Sequence, residues 1–318
     1  MTGNSTRLLT KECSRDIVQR WGHNPLIGIK DLDFNCADIH NAGVVHFQSE
    51  VLLLVTIEYL TGHRGIHVAR PTSDGHYKVE SEPFLKQSGH IKHLRHESKG
   101  VLDGRVTFLD GVYYIMYNAF GDYGYRLAIA RTEDFRKIER MGFISEPDTK
   151  AGVLFPEKIK GRYTRLERPG DGSIWVTYSD DLLHWGGSEL VISPRGGFWD
   201  ESRIGAGATP IEIEHGWLVL YYGVKETPAG PIYRIGAVIL DKQEPTEIVG
   251  RTNIPILSPR INYERIGDVP NLVFPSGALV DENGNLKIFY GAANSCVCVG
   301  TTTIEEIVDN CFESKVEY

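Results

Sequence analysis

The sequence predicts an all-β fold, a five-bladed β-propeller whose four-stranded blades surround an axial funnel. It is read as one domain over residues 1–318, with roughly the first 20 as a lead-in segment. Two observations lead there. A strand–turn–strand unit recurs five times, at residues 44–57, 105–117, 156–166, 210–222 and 277–290. Helical periodicity is nearly absent; residues 303–309 form the one stretch that reads as a short helix. Four of the five turns carry a glycine (Gly111, Gly161, Gly216, Gly284), which supplies the positive φ of a tight hairpin. The second strand of each unit is rich in aromatic and branched residues, which suit a buried pleated surface.

Further strand-like runs follow the hairpins: Ile66-His-Val-Ala-Arg70, Leu127-Ala-Ile-Ala-Arg131 and Ile174-Trp-Val-Thr-Tyr178, each ending in a polar turn. Five units in this length give roughly 64 residues each, enough for four strands and their loops. Short strands with regular turns also suit a two-sheet sandwich. The fivefold recurrence favours the propeller.

Composition narrows the function classes. The net charge is −8, which disfavours a general binder of nucleic acid or of an anionic membrane. No apolar run approaches the ~20 residues of a spanning helix. The opening MTGNSTRLLTKECSRD lacks the apolar core of a secretory signal, so a cytoplasmic protein is expected. Five scattered cysteines (Cys13, Cys36, Cys296, Cys298, Cys311) have no zinc-knuckle spacing, and a reduced protein without metal or cofactor is expected. His63, His67, His90, His93 and His96 are read as a solvated loop, with no helix to align them as ligands.

In a propeller the beginnings of the innermost strands converge, so the segments entering the hairpins are where chemistry is sought. They supply carboxylates (Asp38, Asp103, Asp148, Glu157) for acid–base work. Cations at Arg105, Lys150, Arg168 and Arg203, the third of them just after a hairpin, are able to hold an anion such as phosphate. Tyr117, Tyr123, Tyr125, Trp199 and Tyr233 are aromatic candidates for lining the same funnel.

Five motifs in order carry a family resemblance: Gly100-Val-Leu-Asp-Gly-Arg-Val-Thr107, Val153-Leu-Phe-Pro-Glu-Lys-Ile-Lys-Gly-Arg-Tyr163, Gly216-Trp-Leu-Val-Leu-Tyr-Tyr-Gly-Val224, Val269-Pro-Asn-Leu-Val-Phe-Pro-Ser-Gly277 and Tyr290-Gly-Ala-Ala-Asn294. Along residues 24–312 the chain resembles glycoside hydrolase family 130. The resemblance implies a five-bladed propeller and, in most members, an inverting phosphorylase that cleaves β-mannosides with inorganic phosphate to give mannose 1-phosphate; a minority are hydrolases. It places Asp103 as general acid, delivering its proton through a sugar hydroxyl. It places Lys150, Arg168, Arg203 and Tyr222 around phosphate, with Tyr233 close by. Asn41, Arg105, Tyr233 and Asn294 fall at substrate-binding positions. Five departures stand out: Thr56 for a sugar-binding arginine, Leu102 for the glutamate beside the acid, Glu167 for a histidine, Tyr222 for a phosphate-binding histidine and Asn294 for an aspartate.

Phosphorolysis needs one acid and a cationic cradle, because phosphate itself attacks. An inverting hydrolase needs a second carboxylate to activate water, ~6.5–9.5 Å from the first. Lys150, Arg168 and Arg203 meet the first requirement, so a phosphorylase acting on a β-mannoside oligosaccharide is expected. The alternatives are a hydrolase with Glu167 as base and a non-catalytic glycan-binding propeller. Glu167 also reads as the ion-pair partner of Arg168 or Arg165. Linkage, acceptor sugar and homo-oligomeric state stay open.

Overall fold

The computed structural model describes residues 16–313; Cys13 and most of the lead-in segment lie outside them. The chain is mostly β, with strands falling into antiparallel groups of consecutive hairpins. The first group runs Asp38–Phe47, Glu50–Glu58, Arg64–Pro71, Tyr77–Val79. The second runs Gly100–Leu109, Val112–Gly121, Gly124–Thr132, Glu139–Phe143. These two share one eight-stranded sheet only through a single parallel pairing, Arg64 with Gly100. The third group is Lys150–Leu154, Tyr163–Arg168, Ile174–Ser179, Trp185–Ile192. The fourth is Arg203–Ala206, Gly216–Lys225, Ile232–Leu240, Ile248–Arg251, with Ile211–Ile213 as a second short partner of Gly216–Lys225.

The fifth group, Val273–Val280, Asn285–Ala292 and Cys296–Thr303, takes its outer partners from the other end of the chain. Gln19–Arg20 and Ile27–Gly28 both pair with Cys296–Thr303. So part of the lead-in is built into a sheet. In the third unit the expected first strand at 156–160 is instead a loop, and the strand lies earlier, at Lys150–Leu154. The helix expected at 303–309 forms as Ile304–Glu313. A one-turn helix also forms at Ile91–Leu94 within the histidine-rich segment, where none was expected; the His90 ring accepts from the Lys92 amide at its start.

First strands of successive groups lie side by side. A Cβ on Gly43 would sit 2.1 Å from the Gly104 carbonyl oxygen, and one on Gly277 would sit 2.4 Å from Val44, so only glycine permits these approaches. Thr107 Oγ1 donates to the Leu154 carbonyl at 3.0 Å, which ties the second group to the third.

The core lies between groups. Between the third and fourth, Phe155, Leu166, Val176, Ile204, Trp217 and Tyr221 interlock. Trp217 is fully buried and packs edge-on against Phe155; truncating such a side chain costs ~3–5 kcal/mol. Trp199 packs over Gly223 and Gly236 and stacks on Tyr221. Tyr117 bonds Glu97 and Arg140. Both rings are therefore structural, and neither floors a sugar site.

Candidate active site

A cavity of about 170 Å³ takes part of its wall from the first strand of each of the five groups. Its wall contains Asn41, Asp103, Arg105, Lys150, Arg168, Arg203, Tyr222, Tyr233 and Asn294, together with Asn118, Ala151, Leu272 and Phe274. Nine residues chosen from sequence thus share one small space.

Irregular backbone aims several of them. The ladder slips between His40 and Ala42, between Leu102 and Arg105, and between Lys150 and Val153. Each slip is a bulge that turns a side chain out of the regular alternation: Asn41, Asp103 and Ala151 sit in them. Asp103 has φ of 58° and Ala151 has 56°, left-handed values that cost a non-glycine residue energy and collect at functional sites.

Asp103 is held from three sides. Its Oδ1 accepts from Asn41 Nδ2 at 2.7 Å and its Oδ2 from Asn118 Nδ2 at 2.9 Å. Its backbone amide donates to Thr56 Oγ1 at 2.9 Å. Thr56, which replaces an arginine, is fully buried and anchors the acid's backbone. Asn118 escaped the sequence reading; its one signal is a polar side chain inside the apolar run Tyr114-Ile-Met-Tyr-Asn-Ala119.

Facing Asp103 is a cationic wall. Arg105 and Arg168 are buried, yet Arg105 Nε and Nη1 and Arg168 Nε have no hydrogen-bond partner, and neither has Asn41 Oδ1. Unpaired buried donors of this kind are costly unless a ligand satisfies them. Burial lowers the Arg105 pKa, opposed by Asp103. Lys150 is lowered to about 8, first by burial and then by Arg168, with Asp103 opposing; its Nζ sits 3.6 Å from the centre of the Tyr125 ring. For Arg203, burial acts to lower the pKa, but the Tyr233 hydroxyl at 2.6 Å and Glu226 at 3.0 Å leave it raised. Burial raises the Tyr222 phenol, opposed by Arg168. Arg105, Lys150, Arg168 and Arg203 gathered in the wall of one small cavity favour an anion.

Other expectations fall elsewhere. Glu167 does not reach the cavity: it points from the opposite face of its strand and accepts two bonds from Arg165, the shorter 2.6 Å. That is the ion pair weighed above, and it removes Glu167 as the base of a hydrolase. Arg168, the next residue, faces the cavity because neighbours on a strand point to opposite sides. Asp38, Asp148 and Glu157 are not in the cavity wall. Asn294 donates to Asp268 at 3.0 Å across the rim. Tyr123 is exposed, whereas Tyr125 stacks on Phe120 beneath Lys150. His67 is fully buried between the Tyr59 hydroxyl and the Glu80 carbonyl oxygen. Among the described residues no group of three or more His, Cys, Asp or Glu is placed to hold a metal. The described cysteines Cys36, Cys296, Cys298 and Cys311 are free and buried, and no described helix is long and apolar enough to cross a membrane.

Comparison with known proteins adds a second line. The family model described as beta-1,4-mannooligosaccharide phosphorylase matches residues 11–313. A beta-1,2-mannobiose phosphorylase of Listeria innocua is 34% identical over 255 residues, 79% of this chain and 69% of that protein. A beta-1,4-mannooligosaccharide phosphorylase of Ruminococcus albus is 31% identical over 307 residues, 93% of this chain and 91% of that protein. Among solved structures, the beta-1,2-mannobiose phosphorylase from Listeria innocua in complex with beta-1,2-mannobiose superposes with a TM-score of 0.85 at 29% identity, covering 93% of this chain and 99% of that one. With the match spanning nearly the whole sequence, the chain belongs to glycoside hydrolase family 130, the mannoside phosphorylase family.

Proposed function

We propose that this protein is an inverting glycoside phosphorylase that cleaves β-mannosidic bonds with inorganic phosphate, releasing mannose 1-phosphate. The observation that carries the reading is the cavity wall: one carboxylate, Asp103, faces Arg105, Lys150, Arg168 and Arg203, with no second carboxylate among the described residues of that wall to activate water. In this reading the terminal mannosyl ring lies against Asn41, Arg105, Tyr233 and Asn294. Phosphate sits among Lys150, Arg168, Arg203 and Tyr222, on the ring face away from the departing oxygen. A phosphate oxygen forms the new bond to C1 as the C1–O bond to the leaving sugar breaks, which inverts C1. Asp103 delivers a proton to the leaving oxygen, through a sugar hydroxyl as the family resemblance implies, and regains one from the attacking phosphate. No metal or cofactor takes part; phosphate is the co-substrate. The cations neutralise charge at the attacking group and hold it in line, worth far more in a water-poor cavity than in bulk water.

The architecture is read in the same way: one domain whose five strand groups are propeller blades around the cavity. The contacts of Gly43 with Gly104 and of Gly277 with Val44 support it, and the buried free thiols fit a cytoplasmic setting.

The test is incubation with β-1,2- and β-1,4-mannobiose, with and without phosphate. Mannose 1-phosphate should form only with phosphate, and Asp103→Asn should slow it at least ~10²-fold. Free mannose released at the same rate without phosphate would sink the proposal.

A further inference from the structure

The Arg165–Glu167 pair, which the reaction does not use, lines a separate cleft of about 520 Å³ on the other side of the Tyr163–Arg168 strand from the catalytic cavity. Trp175 and Trp185 form part of its wall. Arg165 is only 2% exposed. Its Nε and Nη2 both donate to one oxygen, Glu167 Oε2, at 3.0 and 2.6 Å. Its guanidinium lies 4.2 Å from the Trp185 ring centre, and its Nη1 has no partner. A buried ion pair left half-satisfied is a poor device for stability, since desolvation offsets most of the attraction. It is a good device for recognition: a free donor on Nη1 and a free acceptor on Glu167 Oε1 stand beside aromatic faces.

We infer that this cleft is a second binding site for a neutral oligosaccharide of β-linked pyranose rings, distinct from the catalytic cavity. Charge selects the ligand class. Arg126 and Arg165 are balanced by Glu146 and Glu167 in the same wall, so the cleft favours neither anion nor cation. Adjacent sugar hydroxyls each donate and accept, which matches the Nη1 donor and the Oε1 acceptor, and a pyranose C–H face fits an indole. The cleft holds about three times the volume of the catalytic cavity, room for more than one ring. Trp175 is held at its indole N–H by Asp171 at 2.9 Å, so its ring is oriented before any ligand arrives. The choice of a mannoside as probe rests on the proposed function; the existence of the site does not.

The test is calorimetric titration of the Asp103→Asn chain, in which turnover is suppressed, with β-1,4-mannotetraose. Two binding events are expected, and the second should weaken at least about tenfold when Trp175→Ala or Glu167→Gln is added. Glu167→Gln leaves Arg165 unpaired and can perturb folding, so the half-buried Trp175 is the deciding position. In the chain with native Asp103, both changes should leave phosphate-dependent cleavage of mannobiose unchanged. A single binding event, or two that Trp175→Ala leaves alone, overturns the inference. Two events of which Trp175→Ala weakens the second, in a chain whose unsubstituted form shows no phosphate-dependent cleavage, would instead uphold the second site and overturn the proposed reaction.

Discussion

Lys150 offers the sharpest test of the anion cradle. Its pKa stands at about 8 against an ordinary 10.5, a gap that corresponds to roughly 3 kcal/mol in favour of the neutral amine in the folded chain. Burial supplies most of that, and Arg168 adds to it. A bound phosphate reverses the balance by giving the ammonium a counter-charge. Above about pH 8, therefore, binding must draw a proton onto Lys150, and the phosphate Kd should rise about tenfold per pH unit. Below that pH the profile should be flat on this account. The assay is calorimetric titration of phosphate from about pH 7 to about pH 10 in buffers of different ionisation enthalpy. It should detect an uptake approaching one proton per phosphate at the alkaline end. Lys150→Met should remove the proton uptake and the slope, and weaken binding near pH 7 by ~1.5–3 kcal/mol, the worth of a charge-assisted hydrogen bond. A wild-type profile without alkaline weakening, or the same slope in Lys150→Met, would refute the argument.

Three further outcomes follow from the same geometry. Arg105→Met removes a buried charge with two unsatisfied nitrogens; without ligand, thermal unfolding should show it neutral or stabilised by ~1–4 kcal/mol, while phosphorolysis is lost. Asn118→Ala deletes the 2.9 Å donor to Asp103 Oδ2; steady-state kinetics should show kcat reduced ~10-fold with the KM for phosphate little changed. Gly291→Ala would bring a Cβ within 2.2 Å of Asn41 Oδ1, displacing the side chain that donates to Asp103; kcat/KM should fall on the order of 10²-fold.

Lys150 also gives stability a pH dependence. Between about pH 8 and 10.5 the unfolded chain keeps a proton on this amine that the folded chain has lost. The lysine therefore contributes rising stability across that window, and a fixed cost below it. Saturating phosphate should flatten that rise in a thermal denaturation series.

Much of the site was legible because its chemistry is concentrated in residue types that rarely sit together by chance. Lys150 and Arg203 begin first strands, Arg105 lies within one and Arg168 ends a second strand, and the resemblance to a known family put roles on them. Asn118 and Thr56 were not legible as support for the acid, because a polar residue within a strand has the same local pattern whether it meets solvent, a neighbouring strand or a carboxylate. Glu167 shows the converse. One residue from Arg168, it looked eligible as a base, and strand alternation sends it to the other face. The aromatic candidates divided in the same way: Tyr233 reached the cavity, while Trp199 and Tyr117 fill space between strand groups.

The sequence by itself determined that this chain is all-β, built of repeated hairpins, and equipped with several carboxylates and cations near the hairpins, one of the carboxylates singled out only by the family resemblance. These properties are local, set by alternation, turn glycines and residue type. Tertiary structure alone decided which of those groups share a cavity, since that depends on bulges at Asn41, Asp103 and Ala151 and on strands that meet from opposite ends of the chain. A one-residue slip in a strand reverses the direction of a side chain, and no local pattern records where the slip falls.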